Sequence, residues 1–243
     1  MPASPSVLVP IGRAPESPSV TLVLFAGAGA GPGYFREWVA AAPPGWAFLA
    51  VNLPGRGGRF REPFATSLDA LATELAEAVA ALPTERVVLF GHSFGALLAM
   101  EVARRMPQPP ALLATAGNAP PDVEPFAYST KPTHEDDLRL ARGLLGQLAA
   151  ELSGPVLEEM VEITAPICRA DMDLLVGCRR PAEPLPCDIV AFYAEHDFSP
   201  PESWADVTAG RADTVVLPGE HITFCQVARD DILAHLRSRL ALV

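Results

Sequence analysis

No apolar run in the 243 residues is long enough to cross a bilayer, and the first residues lack a basic stretch followed by an apolar one. A membrane span and a secretory leader are therefore not expected, and the chain reads as cytoplasmic. Positive charge is scarce, with 18 Lys and Arg against 29 Asp and Glu and a net charge of -11. A field of that sign repels phosphate backbones and anionic lipid, so neither nucleic acid nor a membrane surface is an expected partner. The four cysteines, Cys168, Cys178, Cys187 and Cys225, form no C-x-x-C pair and no cluster with histidine. They are read as free thiols, with no metal site and no redox motif. Internal repeats and low-complexity tracts are missing as well, apart from a Pro/Ser-rich start read as a frayed tail or an edge strand.

What is present is the balance of a folded domain. About half of the residues are apolar and about a fifth charged, in a length that suits one core. A single domain over 1–243 is expected. Apolar, β-branched runs at 20–25, 47–51, 86–90, 111–115, 188–193 and 214–217 read as strands. Between them lie helical stretches at about 34–41, at 67–82 behind Ser67 as N-cap, at 96–105 and at 223–240. Strands alternating with helices predict an α/β fold with a mostly parallel central sheet and helices on both faces. From about 126 to 172 only helices fit, with Pro155 and Pro166 as interruptions, and this segment is assigned as an inserted helical lid.

The chemistry concentrates at Gly91-His92-Ser93-Phe94-Gly95, which directly joins a strand to a helix. A serine hydroxyl must be exposed, given a base and faced with N–H donors before it attacks a carbonyl. A G-x-S-x-G elbow supplies the exposure, and strand before with helix after is the context that separates it from a chance Gly-Ser turn. The α/β-hydrolase order is Ser, acid, His at successive strand ends. Asp197 follows the strand at 188–193 and is favoured over Glu195, a competitor in the same turn, because it sits deeper in the loop and has the register that hydrolases of this order use. His221 follows the strand at 214–217 and is the candidate base. His92 adjoins the nucleophile but is read as a packed histidine, while His134, His196 and His235 fall on helices or a loop away from the site. The backbone N–H groups of Phe94 and of the loop Gly27–Gly31 are the candidate oxyanion hole. That loop lacks the Lys-Ser/Thr ending of a P-loop and the third glycine of a dinucleotide fingerprint.

At residues 25–38, 53–56, 91–95, 169–171 and 219–221 the chain resembles the type II thioesterases that accompany polyketide synthases and nonribosomal peptide synthetases. The resemblance spans almost the whole chain. It implies an editing hydrolase that clears acyl groups from the phosphopantetheine arm of an acyl or peptidyl carrier protein, its transient partner. It further implies a monomer needing no metal or nucleotide cofactor, with Ser93, Asp197 and His221 as triad and the N–H groups of Ala28 and Phe94 as oxyanion hole. Gly27 and Gly57 depart from residues common in the family, and both bear on pocket shape. Arg56, Arg59 and Arg61 are candidates for meeting an acidic carrier, against the alternative of loop charges in local salt bridges. Two other readings share the motif: a small-molecule carboxylesterase or lipase on the same triad, and a noncatalytic synthase-binding protein.

Overall fold

The computed structural model describes residues 6–84, 86–121, 133–148, 153–176, 178–198 and 200–241. Seven strands form one sheet: β1 (Leu8–Pro10), β2 (Val20–Phe25), β3 (Trp46–Val51), β4 (Val87–His92), β5 (Leu112–Ala116), β6 (Ile189–His196) and β7 (Ala212–Glu220). Their spatial order is β1-β3-β2-β4-β5-β6-β7, with β1 antiparallel to β3 and every other pairing parallel. The Pro/Ser-rich start thus supplies an edge strand. Parallel pairing requires crossovers, which are a 3₁₀ helix, Pro32–Ala41, then α1 (Leu68–Ala80), α2 (Phe94–Arg105), α3 (His134–Leu148) with α4 (Gly154–Leu175), and between β6 and β7 a segment with a short 3₁₀ turn, Ala205–Val207. The chain closes with α5 (Phe224–Val227) and α6 (Arg229–Leu240).

The apolar runs are continuous because both faces of the sheet are covered. Along β2, Val23 and Phe25 pack with α1 and α2, whereas Leu22 and Leu24 pack on the other side with Phe35, Trp38 and α6. β7, at the edge, alternates between half-buried and exposed residues instead. Ser67 caps α1 by accepting the Ala70 N–H at 3.2 Å.

Three local expectations change. The helix at 34–41 is 3₁₀ and the last helix is two, broken at Ala228. More consequentially, Pro166 lies inside α4 without ending it. A proline there removes one helical hydrogen bond and crowds the preceding turn. Burial of Val161, Ala165 and Cys168 against Ala141 and Leu144 of α3 holds the helix together across the defect. α4 therefore runs unbroken past the expected lid boundary at 172. Residues 126–132 and 149–152 of the expected lid lie outside the described residues.

Candidate active site

The strand-to-helix elbow is tight enough to dictate its residues. Ser93 has φ +52°, the single positive φ on a non-glycine among the described residues, a conformation that costs energy and persists only when its surroundings impose it. They do so here. The Ser93 N–H donates to the Ala116 carbonyl at 2.7 Å, and Asn118 Nδ2 donates to the Ser93 carbonyl at 2.9 Å. A Cβ on Gly91 would lie 2.1 Å from the Gly95 carbonyl oxygen, and one on Gly95 2.2 Å from that of Phe25. Helix and strand can cross this closely only with glycine at both positions.

Parallel pairing brings the ends of β4, β6 and β7 to the same edge of the sheet. His221 follows β7 directly, and its Nε2 lies 3.1 Å from Ser93 Oγ. Its Nδ1 lies 2.6 Å from Asp197 Oδ1, so Nδ1 carries the proton and Nε2 is free to accept one from the serine. Asp197 also accepts the N–H of Phe198 at 2.8 Å and of Ala194 at 3.2 Å. Burial alone would push this carboxyl up. The hydrogen bond and charge of His221, with the two N–H groups, outweigh it and hold Asp197 below the usual carboxylate range. A register shift between Ala194 and His196 decides between the two acids. Such a bulge re-aims the strand end, leaving Glu195 and His196 exposed and delivering Asp197 to the imidazole. The Phe198 ring stacks on His221 with 4.1 Å between centroids.

His92 is packed, as expected, but it also supports the site in a way the sequence did not suggest. Its Nε2–H donates to the His221 carbonyl at 2.9 Å, and its Nδ1 faces the Tyr34 hydroxyl at 3.1 Å. That hydroxyl also reaches the Ile222 carbonyl at 2.9 Å. Two side chains thus hold the backbone of the turn that carries His221. Burial first, and then the neighbouring His221, push the His92 imidazole down to about 3. It is neutral at physiological pH. His134, His196 and His235 are exposed, on α3, at the end of β6 and on α6.

Ala28 sits beside the elbow in the loop after β2, and Phe94 opens α2. No acceptor among the described residues takes either N–H. Two of the three arginines considered for carrier docking are committed elsewhere. Arg56 is buried against Asp171, and Arg59 is buried against Glu62 and Glu74. Arg59 is met by carboxylates of its own neighbourhood and Arg56 by a distant one on α4, which leaves Arg61 as the exposed member of the three. A cavity of about 280 Å³ opens at Ser93 and His221, its walls including Leu140, Leu144, Met172 and Ile222. The described cysteines are all buried thiols outside any disulfide.

A strained serine on a strand-to-helix elbow, followed along the chain by a carboxylate and an imidazole hydrogen-bonded to it in series, defines the class as α/β-hydrolase. The chain belongs to the thioesterase domain family, whose match covers residues 20–240. It is 29% identical over 91% of its length, and 88% of the relative's, to a protein of Brevibacillus parabrevis called linear gramicidin dehydrogenase LgrE. It is also 26% identical, over 90% and 86%, to the medium-chain S-acyl fatty acid synthase thioesterase of Homo sapiens. The solved structure of BorB, a type II thioesterase from the borrelidin biosynthetic cluster, matches with a TM-score of 0.78 and 27% identity over 96% of this chain and 97% of that one.

Proposed function

We propose that this protein is an editing thioesterase that hydrolyses acyl groups from the phosphopantetheine arm of carrier proteins in polyketide or nonribosomal peptide synthesis. The observation that carries the reading is the continuous relay from Asp197 through His221 to Ser93, opening on an apolar cavity in a chain of the thioesterase family. By their names BorB is a type II thioesterase of a biosynthetic cluster and the human relative a thioesterase of fatty acid synthase, which supports a thioesterase acting on acyl groups held by a synthase.

In this mechanism His221 takes the Ser93 proton as the oxygen attacks the thioester carbonyl. The oxyanion is held by the Ala28 and Phe94 N–H groups, each contributing on the order of 10²–10³ in rate. Asp197 keeps the imidazole in the Nδ1–H tautomer and stabilises its cation. His221 then protonates the departing thiolate, and a water activated by the same imidazole hydrolyses the acyl-serine. The acyl chain occupies the cavity under α3 and α4, which act as the lid. The protein works without a metal or nucleotide, as a cytoplasmic monomer whose carrier partner binds transiently.

The test compares acyl-carrier thioesters with oxygen esters of the same acyl chain. A kcat/KM favouring the carrier thioester is expected. An overwhelming preference for free oxygen esters overturns the substrate assignment, and a failure of Ser93 to label with a fluorophosphonate probe overturns the enzyme assignment itself.

A further inference from the structure

The loop that carries Ala28 is held by a buried ion pair outside the triad. Asp171, on α4, is 2% exposed and Arg56, in the loop after β3, is 7% exposed. They meet through two hydrogen bonds, Nη1 to Oδ2 at 2.6 Å and Nη2 to Oδ1 at 2.5 Å. Each partner also grips the loop. Asp171 Oδ2 accepts the Gly29 N–H at 2.8 Å, and Arg56 Nη1 donates to the Ala30 carbonyl at 3.2 Å. Gly29 itself is left-handed, with φ +78°, and a Cβ there would lie 2.4 Å from Cys168 Sγ of α4. The residue next to Ala28 is thus pinned through its N–H and pressed against a helix that has no room for a side chain.

We propose that Asp171 and Arg56 are positioning residues of the oxyanion hole, fixing the Gly29–Ala30 backbone so that the preceding Ala28 N–H points at the developing oxyanion. The inference rests on the assignment of Ala28 as an oxyanion donor. An oxyanion contact acts only if its donor is aimed before the reaction, and a shift of about 1 Å imposed from a distance can cost about 100-fold in rate. A bidentate Arg–carboxylate pair restricts both distance and direction, as one hydrogen bond from a mobile side chain would not. The same helix contributes Met172 to the cavity wall, so acyl-chain binding and oxyanion geometry share one support.

The test removes the pair without leaving a buried charge alone, through the double variant Arg56→Met with Asp171→Leu. Asp171→Asn is the graded companion, since its amide oxygen can still accept the Gly29 N–H. Kinetics on an acyl-N-acetylcysteamine thioester are compared with inhibition by an alkylboronic acid, whose tetrahedral adduct on Ser93 fills the oxyanion hole. The double variant should lose about 10- to 100-fold in kcat, with KM within about threefold and boronate affinity falling in parallel. Asp171→Asn should lose less, and the acid limb of the pH–rate profile should stay in place because the triad is intact. A folded double variant keeping kcat and boronate affinity within about threefold of wild type overturns the proposal, as does a loss of kcat with boronate affinity unchanged. If the double variant does not fold, Asp171→Asn is judged by the same criteria, and rapid amide hydrogen exchange at Gly29 in the wild-type protein counts against the clamp. A wild-type protein that binds the boronate but hydrolyses no thioester defeats the substrate assignment alone, and the clamp is then judged on boronate affinity.

Discussion

Replacing His92 by glutamine should make the stability of the protein less dependent on pH. In the folded state burial holds the imidazole at about 3, against about 6.5 for a histidine in the unfolded chain. As pH falls below 6.5 the unfolded chain takes up a proton that the folded protein refuses, so stability drops with acidification until the folded state titrates as well. The whole span is worth about 5 kcal/mol, of which about 2 kcal/mol is already lost between pH 8 and pH 5. Glutamine does not titrate, and its side-chain amide can still donate to the His221 carbonyl that His92 now holds at 2.9 Å. Urea unfolding of both proteins at pH 8 and pH 5 measures the difference directly. Asp197, whose carboxyl is held low, loses its stabilising effect only below about pH 4, outside this window. The wild type should lose about 2 kcal/mol more than the variant between the two pH values. Equal losses would refute the argument that His92 is buried as the neutral form.

Ser93→Ala and His221→Ala should each remain folded by circular dichroism and lose several orders of magnitude in kcat/KM. Gly95→Ala should destabilise the protein by about 3 kcal/mol or more, because its Cβ would overlap the Phe25 carbonyl. Gly33→Ala, whose Cβ meets nothing within 4 Å, should stay within about 1 kcal/mol of wild type, and thermal melts separate the two. Leu144→Trp should shorten the 280 Å³ cavity, lowering kcat/KM for long acyl thioesters about fourfold for each methylene that no longer fits while sparing acetyl. A uniform loss across chain lengths would place the acyl group elsewhere.

Much of this protein could be read locally. The runs at 20–25 and 86–90 announced strands because both faces of a parallel strand are buried, and their alternation with helices set the fold class. The elbow was legible because its demands fall within five residues: a strained serine and two glycines where backbones cross. Chain order then pointed to His221 and to a short turn holding two acids. Depth in that turn already favoured Asp197 over Glu195; the bulge in the pairing of β6 with β7 that delivers it to the imidazole is imposed only by the neighbouring strand. Arg56 looked like a surface charge because its partner, Asp171, lies 115 residues away, and a buried ion pair leaves no periodic trace. The continuity of α4 through Pro166 was equally hidden, since packing on α3 overrides the local signal of a proline. The sequence alone determined the strands, the elbow and the chain order of serine, carboxylate and histidine, for these follow from burial pattern and turn chemistry over a few residues. The bulge that aims Asp197, the burial of two arginines and the hold on the glycine loop were decided by tertiary structure, because each depends on contacts between segments that meet only when the sheet is assembled.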